Sequence, residues 1–228
     1  MNIKILGTRA KIEASAKAYY NHSGYLIDDI ILIDLGEAKF LKEKHEAIVF
    51  THFHPDHAYF VFDQTIFKPT VPHYGPEKNK LVPELQVISS VFKIGDYTIT
   101  PFPVIHSLNV NSLAYMVEKG NKKVFFTGDV AWIEKAELEK LPQVNLIVTE
   151  ASFIKKGGHI NRKGDKIYGH TGVPNLIRSL TPYTQKILFS HYGEWFFEDI
   201  PKAIEYLKGI APKGVKIIAA HDGMLVQI

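Results

Sequence analysis

The chain has 228 residues, a formal charge of +3 and 46% apolar residues, enough to bury one sizeable core, so a single domain over residues 1–228 is expected. It has no cysteine, which excludes disulfides and thiolate ligands and leaves nitrogen and oxygen donors for any metal. No run of five like charges marks a nucleic-acid-binding tail, and no apolar run is long enough to span a bilayer, so a soluble, cytoplasmic protein without a membrane partner is expected.

The first predicted element is a short strand at 2–6 that runs into a turn at Gly7 and lacks the apolar core of a signal peptide. Strand-like runs follow at 24–28 and 30–34, then a helical stretch at about 37–44. The apolar run Ala47-Ile48-Val49-Phe50 gives a buried strand at 47–51, and a helix is expected to start at Pro55. Lys68 to Pro76 reads as an ordinary loop. Further strands are expected at 87–94, 97–105, 112–118 and 123–127, punctuated at Gly95-Asp96 and Gly120-Asn121. A helix at 133–141 and a strand at 144–149 lead into a glycine-rich, basic loop at 153–170. The helix at 172–180 turns Val173, Leu176, Ile177 and Leu180 to one face, with Thr171 as its N-cap. After a strand at 186–190, Asp199 and Pro201 start a helix at 200–208 that Gly209 stops. Strands at 215–220 and 224–228 complete the pattern. Strands packed into two sheets with helices outside them is the simplest arrangement.

Chemistry concentrates in Thr51-His52-Phe53-His54-Pro55-Asp56-His57, which puts four potential metal ligands into six positions directly after a buried strand. Residues two apart on an extended chain point to the same side, so His52 and His54 can grip one metal. Pro55 then turns the backbone, and Asp56 and His57 can face a second metal beside the first. Three more candidates stand at strand tips: His106, Asp129 in Thr127-Gly128-Asp129, and His191. A lone histidine after a strand is usually a cap or a core residue; together, in this order, the three complete a constellation. Neutral imidazoles with carboxylates suit zinc, and admit manganese or iron.

With Leu6-Gly7-Thr8, Leu32-Ile33-Asp34-Leu35-Gly36, the run Thr51 to His57, His106, Thr127-Gly128-Asp129 and His191, the chain resembles the metallo-β-lactamase superfamily from end to end. The resemblance implies an α/β fold: an αββα sandwich of two mixed β-sheets flanked by helices, with the site at one edge between the sheets. It also implies two divalent metal ions. His52, His54 and His106 would hold one, Asp56, His57 and His191 the other, and Asp129 would bridge them. Two metals about 3.5–4 Å apart can share a hydroxide whose formation needs only a pKa near 7. Asp34 reads either as an ordinary turn residue or as a group that orients a ligand or the signature loop.

Fold and metals do not name a substrate. Glu150-Ala151-Ser152 and Gly169-His170-Thr171 resemble motifs of ribonuclease Z and of phosphonate-pathway phosphodiesterases. In that branch the histidine donates a proton to the leaving oxygen, so His170 is the expected general acid, Glu150 its partner and Asp56 a ligand that also serves catalysis. Helix capping is the structural alternative for His170. The ending Ala220-His221-Asp222-Gly223-Met224 resembles the same branch and makes His221 a second candidate for the last ligand; the context Leu188-Phe189-Ser190-His191 favours His191. Only 49 positions separate His57 from His106, too few for the long arm with which ribonuclease Z grips transfer RNA. Within the basic loop, Lys155, Lys156, Arg162, Lys163 and Lys166 could close over a phosphate or lie in solvent.

The expected function is therefore a dinuclear metal-dependent phosphodiesterase, in which a metal-bridging hydroxide attacks a small-molecule or short nucleotide diester. The alternatives are a nuclease on RNA or single-stranded DNA, so nucleic acid stays admitted as a partner, and hydrolysis of a carbon ester, thioester or lactone. Oligomeric state is open, a homodimer included. His22, His45, His73 and His159 receive no role.

Overall fold

The computed structural model describes residues 1–228. One sheet takes β1 (Asn2–Gly7), β2 (Gly24–Ile27), β3 (Ile31–Ile33), β4 (Ala47–Val49), β5 (His73–Gly75) and β6 (Gln86–Val87). The second takes β7 (Phe92–Ile94), β8 (Tyr97–Val104), β9 (Ser112–Lys119), β10 (Lys122–Phe126) and β11 (Leu146–Ala151). A separate hairpin follows, β12 (His159–Lys163) with β13 (Lys166–His170). Strands β14 (Lys186–Tyr192) and β15 (Lys216–Ala219) return to the second sheet, and β16 (Leu225–Gln227) joins the edge of the first.

The strand orders are β16-β1-β2-β3-β4-β5-β6 and β15-β14-β11-β10-β9-β8-β7. Each sheet is antiparallel along one side and parallel along the other: β3 to β6 in the first, β10, β11, β14 and β15 in the second. The C-terminal tips of the parallel strands, where α/β folds place ligands, carry the segments after β4, β10, β11 and β14. The fold is the mixed two-sheet sandwich expected from sequence.

Period-two alternation sorts the core. Ile31 and Ile33 of β3, Val124 and Phe126 of β10 and Leu188 of β14 face the gap between the sheets. Phe125, Ile187 and Phe189, one residue out of phase, pack instead under the outer helices. Those helices are α1 (Lys135–Leu138), α2 (Val173–Leu180), α3 (Glu194–Glu198) and α4 (Ile200–Gly209). The α2 face is as expected, with Val173, Leu176, Ile177 and Leu180 buried. In α4 the Asp199 side chain accepts from the Lys202 N–H, as an N-cap should. No helix is long and apolar enough to cross a membrane.

Several expectations are corrected. The stretch at 37–44 and the segment after Pro55 form only 3₁₀ turns, Ala38–Lys42 and Tyr59–Val61. Each buries a single aromatic, Phe40 or Phe60, and a helix that short is not sustained without a full apolar stripe. The outer face of the first sheet is thus covered by turns and aromatic packing rather than by α-helix. The helix at 133–141 shrinks to α1, and the strand at 87–94 splits into β6 and β7. Within Lys68 to Pro76 lies β5. Gly172, not Thr171, caps α2, without a side-chain bond, and Gly209 belongs to α4 rather than following it.

The basic loop is also corrected: it contains β12 and β13, paired from His159↔His170 to Lys163↔Lys166. Gly164-Asp165 is a two-residue hairpin turn with Gly164 at φ +58°. Both strands lie half or fully in solvent, so they lack the apolar alternation that marks a strand in sequence.

Leu188 is fully buried between the sheets, whereas Leu225 is 73% exposed. Leu188→Ala is expected to destabilise the fold by about 2–5 kcal/mol in urea unfolding, and Leu225→Ala by less than about 0.5 kcal/mol.

Candidate metal centre

Seven side chains converge at the strand tips. The turn after β4 delivers His52, His54, Asp56 and His57; His106 follows β8, Asp129 follows β10, and His191 lies on β14. Their ligand atoms form two groups, His52-His54-His106-Asp129 and Asp56-His57-Asp129-His191, in each of which all atoms lie within 4.8 Å of one another. Asp129 belongs to both. Its Oδ2 is 3.6 Å from the Nε2 atoms of His52 and His106, and its Oδ1 is 3.2 Å from His57 Nε2 and 3.4 Å from His191 Nε2. One carboxylate thus turns an oxygen to each group.

The backbone holds this arrangement tightly. Asp34, at φ +57°, accepts from the Thr51 N–H at 2.7 Å and from its hydroxyl at 2.8 Å. Gly128, at φ +59°, passes Thr51 so closely that a Cβ would stand 3.0 Å from the Thr51 Cβ. Gly36 lies against the Asp56 and Ser23 carbonyl oxygens, leaving no room for a Cβ. His191 itself adopts φ +52°, a left-handed conformation that aspartate and histidine tolerate better than most residues.

Four imidazoles are anchored through Nδ1: His52 to the Thr51 hydroxyl at 3.0 Å, His57 to Asp34 at 2.8 Å, His106 to the Gly169 carbonyl at 2.8 Å and His191 to the Ser152 hydroxyl at 2.9 Å. Each then turns Nε2 inward. His54 instead points Nδ1 inward, 3.1 Å from His52 Nε2 and 3.0 Å from His106 Nε2. Anchoring one ring nitrogen so that the other meets a metal is how histidine ligands are built.

Electrostatics fit a cation. Asp34, Asp56 and Asp129 are all buried. Burial, with His57 beside it, keeps His52 well below the ordinary histidine range; burial and His106 push His54 down to about 4, and burial also lowers His106. Three neutral imidazoles therefore converge with lone pairs available. Burial opposes charge on His57 too, but Asp129 and Asp34 outweigh it and raise its pKa. Burial likewise opposes ionisation of Asp129, yet His191 and His57 hold it ionised. His57 Nε2 and Asp129 Oδ1 are buried without a hydrogen-bond partner despite their 3.2 Å approach. Two orphaned buried atoms facing each other beside ionised Asp129 fit a bound cation, and the all-nitrogen and oxygen donor set fits a divalent one.

Beside the cluster, His170 Nδ1 stands 2.8 Å from Glu150 Oε2, while Glu150 Oε1 accepts from the Val130 N–H at 2.5 Å. Both Glu150 oxygens are thus engaged by protein donors, although ligand atoms of Asp129, Glu150 and His170 also lie within 4.8 Å of one another. Burial lowers the affinity of His170 for a proton, but Glu150's charge and hydrogen bond outweigh it and raise the pKa to about 9. His170 sits at the end of β13, not on a loop, and does not cap α2. His221 belongs to neither group, with Nδ1 near the Asp222 carbonyl, whereas His191 belongs to the second. Asp34 is more than a turn residue, since it fixes both Thr51 and His57.

A cavity of about 780 Å³ opens over His54, Asp56, Asp129, His170 and His191. Its rim includes Lys11, Phe153 and Trp195, which sequence reasoning did not assign. They come from segments remote along the chain and carry no ligand spacing. Ser152, which anchors His191, stood inside a quoted motif, but its hydroxyl's task shows only in three dimensions.

The β-lactamase superfamily domain model matches residues 36–175. The metallo-β-lactamase fold protein YhfI from Bacillus subtilis has a TM-score of 0.72 at 20% identity, over 99% of each chain. A diphosphatase from the PhnP family has a TM-score of 0.72 at 18% identity, over 100% of this chain and 97% of that one. Human tRNase Z, short form, gives 0.69 at 14% identity, over 100% and 99%. No curated protein matches the sequence.

Removing the Asp34 carboxylate frees both Thr51 and His57. Asp34→Ala is expected to weaken metal retention about 10- to 100-fold, read by competition with a chromogenic chelator. Unchanged retention would reduce Asp34 to a turn residue.

Proposed function

The chain belongs to the β-lactamase superfamily, and we propose that it is a two-metal phosphodiesterase, one hydrolase domain spanning residues 1–228. The diphosphatase and tRNase Z among its structural neighbours support phosphate-ester chemistry by their names. The reading rests on one observation above all: His170, held by the buried Glu150, lines the same cavity as His54, Asp56, Asp129 and His191.

In this reading His52, His54 and His106 would hold one cation, Asp56, His57 and His191 would hold the other, and Asp129 would serve both. Zinc is the first choice, with manganese and iron admitted by the same donors. Bound there, the cations supply an acidified water as nucleophile and Lewis acidity toward the phosphoryl oxygens.

The chain's own residues do the remainder. Asp34, Ser152 and the Gly169 carbonyl fix the imidazoles, so the site does not reorganise as charge develops. Glu150 holds His170 by Nδ1, which leaves Nε2–H to deliver its proton to the departing alkoxide. An alkoxide is a poor leaving group, so that proton matters most when the alcohol is weakly acidic.

Elemental analysis is expected to find about two divalent metals per chain. His170→Ala should keep them and lower kcat on a dinucleoside monophosphate about 10²- to 10⁴-fold. On bis(p-nitrophenyl) phosphate, whose phenolate departs without a proton, the loss should be far smaller. Equal losses on both substrates would remove His170 as the acid. Turnover of esters or lactones with none of either diester would overturn the phosphodiesterase reading.

A further inference from the structure

The cavity wall beside His170 is aromatic. The Phe153 and His159 rings stack with centroids 5.5 Å apart and 20° between planes, and Phe153 lies 5.7 Å from the His170 ring. Both residues line the cavity that holds the ligand cluster. Phe153 is half-buried and His159 exposed, so ring surface faces the open space. The stack is held in place by backbone: Gly158, at φ +60°, turns the chain before His159, and a Cβ there would collide with the His170 carbonyl oxygen. Across the hairpin, His159 pairs with His170 itself.

Resting on His170 as the acid, the geometry points to a leaving-group subsite: we propose that Phe153 and His159 form a stacking platform for the departing alcohol, and that this alcohol carries a flat aromatic or heteroaromatic ring, as a nucleoside does. The leaving oxygen must come within hydrogen-bond reach of His170. The atoms attached to it then run along the cavity wall, where Phe153 lies 5.7 Å from the His170 ring and His159 stacks on Phe153. A purely aliphatic alcohol would leave these ring faces wet, whereas a flat ring covers them and gains stacking energy.

The test compares ApA with the corresponding base-free diribosyl phosphate, so the leaving alcohol bears a base, or lacks one, whichever ester bond breaks. The metal-loaded enzyme should prefer ApA in kcat/KM by about 5- to 100-fold, the range of one base–aromatic stack. In Phe153→Ala/His159→Ala the ratio should fall toward one, and in Phe153→Tyr/His159→Phe it should persist, with metal content and Tm reporting that each variant folds. Calorimetric binding of adenosine, the product alcohol, should weaken at least about fivefold in the alanine pair. A wild-type ratio near one, or a ratio unchanged by the alanine pair, overturns the subsite while leaving the phosphodiesterase reading intact. Should neither diester turn over while adenosine still binds and depends on the two rings, the subsite stands and the phosphodiesterase reading falls. No turnover and no adenosine binding would remove both.

Discussion

Four buried carboxylates within one small volume, Asp34, Asp56, Asp129 and Glu150, are the constraint from which the rest of this structure follows. Asp34, Asp56 and Asp129 are almost wholly shielded from solvent, and a buried carboxylate stays ionised only where positive charge or several donors face it. Asp34 receives the Thr51 N–H, the Thr51 hydroxyl and the His57 ring. Asp56 has only His191 within hydrogen-bond distance, and Asp129 has imidazoles around it without a full set of bonds. The cluster is balanced as a protein feature at Asp34 and unbalanced at Asp129, and the imbalance marks where a cation belongs.

The fold supplies that concentration of charge through topology. Parallel strands bring their C-terminal tips to one edge, so β4, β10, β11 and β14 each place a polar residue there without a long excursion of chain. Apolar alternation behind the tips keeps the gap between the sheets dry. Outside the second sheet lie regular helices; outside the first lie 3₁₀ turns and a cluster of Phe50, Phe53, Phe60 and Phe67. That asymmetry suits the site, because the segment Thr51 to Phe60 must present ligands on one side and aromatic anchors on the other. At Pro55 the chain makes a single turn, with His57 N–H and Ala58 N–H both closing onto the His54 carbonyl, and leaves it before a regular helix is established.

The candidate ligands were legible in sequence because metal chemistry fixes residue type and spacing together. His52, His54, Asp56 and His57 declare themselves by proximity, and His106, Asp129 and His191 by their place after apolar strands. The core strands were legible for a similar reason, since burial writes a period of two. What escaped was structure with no burial signature. The β12–β13 hairpin alternates nothing apolar, although Gly164-Asp165 between paired lysines was a turn signal available to be read. Thr171 fits an N-cap by composition, but the chain enters α2 through Gly172, which packs against the Lys155 carbonyl where no side chain fits. His159 had no partner in sequence because the fold alone brings it to Phe153, six residues earlier, and to His170 across the hairpin.

The hairpin also explains how the two kinds of chemistry at this site stay in register. Within β13, adjacent residues face different tasks: the Gly169 carbonyl orients His106, and its N–H donates to the His106 carbonyl, while the next residue is His170 itself. A displacement of this strand would therefore move a metal-side imidazole and the paired histidine together. Gly169, at φ +116°, can serve both because a side chain there would strike the His159 carbonyl oxygen. A free loop could carry His170 to the same cavity, but it would not tie the distance between His170 and His106 to a hydrogen-bonded ladder. The exposed, unpatterned segment is thus the part of the chain that ties His170 to the His106 group.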